Sequence, residues 1–303
     1  MDTADGRRRI DELSDDALTG RFRVWQRRGG HRYSLDDVVT AWEAVAARPD
    51  ATRYLDLGCG VGSVLLMVAY KLPGAQCVGV EAQPLSIELA RRNVARNGVA
   101  GRAVLDLGDL RDRAQMDGLT VDYGPFDLVT GTPPYQRAGA STPSPDPQRR
   151  YARVELRGGV EAYVEAAAAA LAPGGALVVC ADARTPERAL GAARACGLRP
   201  LRRRDVIPRA GVKGPLFTVW TFEKPRRDER AAGPEATPLV EEPFVARTAS
   251  GDRSEAYLAL RAFFDLPPVA APGRDDASGD DDAEPGDGSP ARAVTTGVRR
   301  KKP

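Results

Sequence analysis

The residues of this chain whose types and spacing could do chemistry fall in two short runs. The first is YLDLGCGVGSVLLMVAYKL, Tyr54 to Leu72. An apolar strand delivers Asp56, and Gly58, Gly60 and Gly62 follow at alternate positions. Glycines let a backbone turn tightly and bring its N–H groups close to a ligand. A helix starting near Val61 then aims the positive end of its dipole at the same place. A dinucleotide fingerprint, Gly-x-Gly-x-x-Gly, would need glycine at position 63, where Ser63 stands. Gly-x-Gly-x-Gly after an acidic strand end suits the methionine and ribose portions of S-adenosylmethionine better than a pyrophosphate. The same turn with no ligand is the purely structural alternative. Two carboxylates support the ligand. Glu81 ends the next strand, 19 residues after Gly62, where it can accept from both hydroxyls of a ribose. Asp109, in DLGDLRD after the third strand, is placed to accept from an adenine amino group or, alternatively, to cap a helix.

The second run is FDLVTGTPPYQ, Phe126 to Gln136, at the end of a fourth strand. In open α/β sheets ligands sit outside the carboxyl ends of the strands, so this turn is expected to face the same ligand. Pro133 and Pro134 stiffen the turn and fix the direction of the carbonyl before them. Tyr135 offers a flat face for stacking on a planar substrate. A structural Pro-Pro turn with a core tyrosine is the alternative.

These residues need a sheet to hold them, and the pattern provides one. Strand-like runs recur at Arg53–Leu57, Gln76–Val80, Ala103–Leu107, Asp127–Thr130 and Ala176–Cys180. Helical spacing marks Leu35–Ala47, Val61–Lys71, Pro84–Asn97 and Val160–Leu171. The alternation predicts an α/β fold, a parallel sheet with helices on both faces. Leu201–Ile207 and Leu216–Phe222 are near enough in sequence to pair as an antiparallel ribbon closing the sheet. The chain divides accordingly into a basic segment and leading helix (1–48), the ligand-binding domain (49–224), an extension (225–266) with apolar positions able to fold back, and a tail (267–303). The tail, rich in Pro, Gly, Asp and Ala, has too little apolar surface to order itself and is expected to be disordered.

Composition narrows the classes. Of 303 residues, 42% are hydrophobic, enough for a packed core, and no apolar run reaches the ~18 residues of a membrane span. The first sixteen residues hold no apolar h-region of a secretory signal. Cys59, Cys77, Cys180 and Cys196 form no CxxC pair and His31 is the sole histidine, so a metal site is not expected and a cytoplasmic location is. Net charge is +2, but arginines cluster: Arg7 to Arg9, Arg21 to Arg32, Arg149 to Arg157, and Arg202 to Arg209. Such clusters can form a phosphate-binding footprint, or simply a solvated face.

The order and wording of these motifs resemble the class I methyltransferases with an (Asn/Asp)-Pro-Pro-(Tyr/Phe) turn, and among them most the bacterial tRNA(Val) adenine-N6-methyltransferase family. The likeness runs from about residue 22 to 223 and is carried by QRRGGHRYSLDDVVTAW (Gln26 to Trp42), the glycine run, and TPPYQ with ARVELRGGVEAYVEAAAAALAPGG (Ala152 to Gly175). It implies a Rossmann-like class I methyltransferase fold with a seven-stranded, mostly parallel sheet whose last strand is antiparallel. It implies S-adenosyl-L-methionine as cofactor, bound by Asp56, Gly58, Gly60, Gly62, Glu81 and Asp109. Tyr33, Ser34 and Asp36 would close over its methionine end, although as an N-cap cluster they need no such role. RNA, tRNA above all, is the implied substrate, with no membrane or metal partner.

In such enzymes the target base is flipped out of its stack into a pocket. The Asn or Asp oxygen and the carbonyl beside the first proline accept from the exocyclic amine, and the aromatic residue stacks on the base. Here the corresponding residues are Thr132, Pro133, Pro134 and Tyr135. Thr132 departs from the pattern: its hydroxyl accepts a hydrogen bond but is shorter than an amide or carboxylate, and also donates. Val154 is a second departure, within the ARVE segment. The loop Arg137 to Arg150 has the length and composition of a mobile substrate lid, or of an insertion without a role. Three functions therefore stand: RNA adenine-N6 methylation, methylation of a protein glutamine amide or small molecule, and a non-catalytic RNA- or protein-binding relative.

Overall fold

The computed structural model describes residues 13–140, 142–226, 228 and 237–267. The tail read as disordered lies, but for Pro267, outside them, as do the arginines at positions 7 to 9. The first element is absent from the sequence reading. β1 (Leu13–Thr19) and β2 (Phe22–Arg27) form an antiparallel hairpin. Phe22, Val24 and Gln26 alternate inward along β2, the period-2 pattern of a half-buried strand. The apolar Trp25 facing outward and the polar Gln26 facing inward obscure that pattern in the sequence. The hairpin is tied down by side-chain amides: the Trp25 N–H donates to Asn93 Oδ1 at 2.8 Å and the Arg23 N–H to Asn97 Oδ1 at 2.9 Å.

After α1 (Leu35–Ala47) the chain alternates. β3 (Arg53–Leu57), α2 (Ser63–Lys71), β4 (Gln76–Glu81), α3 (Pro84–Arg96), β5 (Ala103–Leu107), α4 (Arg113–Tyr123) and β6 (Phe126–Gly131) come first. Then follow α5 (Pro147–Arg153), α6 (Val160–Ala170), β7 (Leu171–Asp182), α7 (Pro186–Ala195), β8 (Arg199–Ile207) and β9 (Phe217–Glu223). β10 (Leu239–Val240), β11 (Phe244–Val245) and α8 (Glu255–Phe263) complete the described chain. The sheet order is β10-β8-β9-β7-β6-β3-β4-β5, with β11 also on β8. β3 to β7 are parallel, and β9 runs antiparallel between β7 and β8.

This is the expected α/β, mostly parallel architecture; among the described residues the sheet has nine strands, two more than the seven expected. The central seven match the expectation. The two added strands pair with the outer edge of β8 and are two residues each. Pro238 and Pro243 flank them, and proline, lacking an N–H, keeps such edge strands short. Successive side chains of the central strands enter opposite cores. Tyr54, Leu128, Val178 and Cys180 join the cluster of α1, α2 and α3, whereas Leu55, Leu57, Val129 and Val179 join that of α4, α6 and α7. Burial on both faces is why these strands read as unbroken apolar runs. The extension returns to the first of these cores. Leu260 and Phe264 are buried there, and the Gly20 N–H of the hairpin turn donates to the Phe264 carbonyl at 2.8 Å. Among the described residues no helix is long and apolar enough to cross a membrane.

Candidate active site

The turns leaving the carboxyl ends of β3, β4, β5 and β6 open into one cavity. Its floor is the glycine turn. Gly58, Gly60 and Gly62 have φ of 63°, 56° and 86°, the left-handed region that side chains avoid. At Gly58 a Cβ would also come within 2.3 Å of the Tyr163 hydroxyl, so packing as well as conformation demands glycine there. Above Gly60 a Cβ would meet nothing within 4 Å, which leaves the turn accessible to a ligand. Its N–H is already used, donating to Glu81 Oε2 at 3.0 Å.

Asp56 is 2% exposed at the end of β3. Its Oδ1 accepts from the Thr130 hydroxyl at 2.7 Å, and Thr130 Oγ1 lies 2.6 Å from the Tyr54 hydroxyl. Its Oδ2 has no hydrogen-bond partner. Burial pushes the carboxyl up to about 7, against the hydrogen bond from Thr130, which lowers it. A buried carboxylate oxygen left unpaired is costly, and a cation supplied by a ligand would relieve it. Thr130 did not stand out in the sequence, because its role exists only through β3–β6 pairing, which sets it opposite Asp56.

Glu81, at the end of β4, accepts from two backbone amides, Gly60 N–H on Oε2 and Gln83 N–H at 2.7 Å on Oε1. Burial raises its pKa, while those amides and the charge of Arg157 act the other way. Each oxygen retains a lone pair, so the carboxylate can still accept from a diol. Asp109 also lines the cavity, and Arg111 grips it through its backbone N–H and both ends of its guanidinium, at 2.7 to 3.0 Å. That grip holds its carboxyl below the usual range. The capping alternative for Asp109 does not hold: Asp112 caps α4, accepting from the Gln115 N–H at 3.2 Å.

The residues ahead of α1 divide. Tyr33 lines the cavity, but the carboxylate that joins it is Asp37, not Asp36. Asp37 sits at N3 of α1 and closes a capping box on the Ser34 N–H at 2.9 Å. Burial, then the neighbouring Asp36, raises its pKa well above the ordinary value. Asp36 instead accepts from the Ser34 hydroxyl and lies 3.3 Å from the Tyr135 hydroxyl. The Pro-Pro turn divides too: Thr132 and Pro134 line the cavity, while Pro133 is buried and Tyr135 is outside the lining. Tyr135 stacks on Phe217 at 6.3 Å and 14°, with its hydroxyl 2.8 Å from Cys180 Sγ. In this conformation the ring packs on the scaffold of the turn, partly exposed and outside the cavity lining.

The segment expected to be a loop to residue 150 ends earlier, in α5. Asp146 caps this helix, accepting from the Arg149 N–H at 3.0 Å, and Pro147 is its first residue. Arg27 binds Asp146 at 2.9 Å, and Gln148 donates to Ser86 at 3.1 Å. The segment thus runs as a strap from the Pro-Pro turn across to α3, and Gln148, Tyr151, Arg157 and Tyr163 add to the cavity wall. His31 and Ser63 also line it. No spacing rule singled these out; they meet because the strap, the segment before α1, and the starts of α2 and α6 converge on the cavity.

The arginine clusters are less available than they read. Arg23 pairs with Asp15, Arg27 with Asp146, Arg32 with Asp16, Arg203 with Asp205 and Arg204 with Glu43. Among the described residues no group of three or more His, Cys, Asp or Glu side chains could hold a metal ion.

Residues 49–184, which contain the glycine turn, Glu81, Asp109 and the Pro-Pro turn, match a family model described as a methyltransferase domain. That likeness to a methyltransferase domain covers a little under half of the chain. Over 150 residues it is 33% identical to the tRNA1(Val) (adenine(37)-N6)-methyltransferase of Porphyromonas gingivalis, a match covering 49% of this chain and 57% of that protein. It is 34% identical over 168 residues to a release factor glutamine methyltransferase of Geobacter sulfurreducens, covering 52% of this chain and 54% of that one. The chain thus spans a little over half the length of these curated relatives. A solved structure described as a predicted O-methyltransferase from Agrobacterium tumefaciens superposes with a TM-score of 0.56 at 21% identity, over 77% of this chain and 97% of that one. At that identity the likeness shows the Rossmann-like fold alone. The matched residues hold the whole glycine turn and the Pro-Pro turn, whereas the hairpin and the extension lie outside them.

Proposed function

We propose that this chain is an S-adenosylmethionine-dependent methyltransferase acting on the exocyclic amine of a base, adenine N6, in tRNA or another RNA. The observation that carries the donor is Asp56 Oδ2, a buried carboxylate oxygen without a partner beside an accessible glycine turn. It answers to the α-ammonium of a methionine end. The lone pairs of Glu81 answer to a ribose diol, and Asp109 to an adenine amine. S-adenosylmethionine held there supplies an electrophilic sulfonium methyl.

The residues of the chain orient the acceptor. Thr132 Oγ1 and the Thr132 carbonyl, its direction fixed by Pro133, accept from the two N–H groups of the amine and aim its lone pair into the cavity. Pro134 forms the wall beside them. Tyr135 supports the turn from behind, held by Phe217 and Cys180. Positioning and electrostatics carry the transfer, and no low-pKa base is required at the turn. The four free thiols, three of them buried, fit a reducing compartment, and a cytoplasmic location is part of the proposal.

A second reading, methylation of a protein glutamine amide, is favoured by Thr132 in place of the Asn or Asp of the adenine pattern and by the release factor relative. Incubation with methyl-labelled S-adenosylmethionine, followed by separation of RNA, protein and small molecules, decides between them. Label in RNA supports the first reading and label in protein the second. Cofactor binding with no label in any fraction supports a non-catalytic relative.

A further inference from the structure

Arg157 is a cavity-lining cation that none of the roles above uses. Its position is set by backbone features on either side. Before it, the strap is pinned by hydrogen bonds from the Gln136 N–H to the Arg153 carbonyl at 3.0 Å and from the Glu155 N–H to the Gln136 carbonyl at 2.9 Å. After it, Gly158 has φ of 90°, and a Cβ there would lie 2.7 Å from that of Ala162. A side chain at 158 would force the chain off its entry into α6. The guanidinium lies over the ring of Tyr151, 4.4 Å from its centroid, and Tyr151 also lines the cavity. The charge of Arg157 reaches both Glu81 and Asp109, lowering the pKa of each behind larger effects, burial for Glu81 and the Arg111 hydrogen bond for Asp109.

We propose that Arg157 and Tyr151 are adenosine-binding residues, whose stacked pair closes the cavity over the purine and ribose of the methyl donor. This rests on the cofactor reading above. The part of the ligand between Glu81 and Asp109 is the adenosine, and Arg157 lines the cavity with both carboxylates. A planar guanidinium backed by an aromatic ring is a flat, cationic surface, which attracts the electron-rich face of a purine. A phosphate of the acceptor suits the place less well, because an anion brought to Arg157 also meets the charges of Glu81 and Asp109. The strap that begins at the acceptor turn therefore ends by covering the donor.

Calorimetry with two probes tests this: S-adenosylhomocysteine, and 5′-methylthioadenosine, which keeps the adenosine and lacks the amino acid. Arg157→Ala is expected to weaken both by a similar factor, about tenfold. Arg157→Lys, which keeps the charge and loses the plane, should recover only part of the loss. Tyr151→Ala should resemble Arg157→Ala, and Tyr151→Phe the wild type. Asp56→Asn, acting at the other end of the ligand, should weaken S-adenosylhomocysteine alone. Unchanged melting temperatures exclude misfolding as the cause. If Arg157→Ala spares methylthioadenosine, or weakens only RNA binding, the assignment is overturned while the cofactor reading stands. If the wild type binds neither probe, both fall.

Discussion

Asp56 combines two opposed effects of pH. Burial lifts its carboxyl from 3.8 to about 7, so the folded, ligand-free chain binds this proton more tightly than the unfolded chain does. Its contribution to stability is complete below about pH 4 and is lost as pH rises towards 7. The proposed pairing with the donor's ammonium has the reverse sign, since only the ionised carboxylate attracts a cation. Affinity for S-adenosylhomocysteine should rise between pH 5.5 and 7.5, and Asp56→Asn should flatten that rise and lower affinity at pH 7.5 by about tenfold or more. The same substitution should raise the ligand-free melting temperature at pH 8, by roughly 5 °C, and change it little at pH 4. A pH-independent wild-type affinity would contradict the pairing of Asp56 with a cation. In the proposed reaction Thr132 is the other deciding residue. If adenine is the acceptor, Thr132→Asn should keep or increase methyl transfer to RNA, since the amide oxygen reaches further; loss of transfer with cofactor affinity intact would point to another acceptor.

Among the elements, the strap and α8 make different demands. α5 is fastened by the Arg27–Asp146 pair and the Gln148–Ser86 hydrogen bond, both half-buried or better. Arg27→Ala should therefore loosen α5 with a global cost of only about 1 kcal/mol. The expected signature is faster amide exchange over 147–153 while the exchange of β3 to β7 holds, and uniform acceleration would refute a local role. α8 is a structural closure. Phe264 is fully buried against the first core, and Phe264→Ala should cost about 3–5 kcal/mol in denaturant unfolding, with unchanged m. A loss under 1 kcal/mol would mean that the extension is dispensable to the fold. Of these elements the βαβ series was plain in the sequence, because strands buried on both faces read as continuous apolar runs. The hairpin was not. Its inward residues Phe22, Val24 and Gln26 include a polar side chain and alternate with Arg23 and the apolar Trp25, and the hairpin is tied to Asn93 and Asn97, some seventy residues away.

For the whole molecule, 44 basic and 42 acidic residues leave a net charge of +2, and many of the clustered arginines are spent on internal carboxylates. Each such pair nearly cancels at the distance of a phosphate backbone. RNA affinity should accordingly fall by less than about tenfold between 50 and 200 mM salt, against the 10³–10⁵ expected for six to ten phosphate contacts. A steep salt dependence in filter binding would show that the basic clusters act despite their partners. Removal of residues 268–303 takes away none of the core side chains named above, and the melting temperature should be unchanged.

The glycine turn, Glu81, Asp109 and the Pro-Pro turn were legible in the sequence because each is a local device. A tight turn needs glycine, a strand end presents a carboxylate, and prolines fix a carbonyl, all within a few residues. The tertiary structure alone decided what surrounds them. It chose Asp37 over Asp36, because position within the first turn of α1 determines which carboxylate points inward. It set Thr130 against Asp56 through strand pairing, and it turned Tyr135 onto Phe217 and Cys180 and out of the cavity wall. It also brought Arg157 and Tyr151 into the cavity that Glu81 and Asp109 line, across a strap whose path no local spacing encodes. Contacts made between distant segments depend on how elements pack, and packing is settled by the whole core.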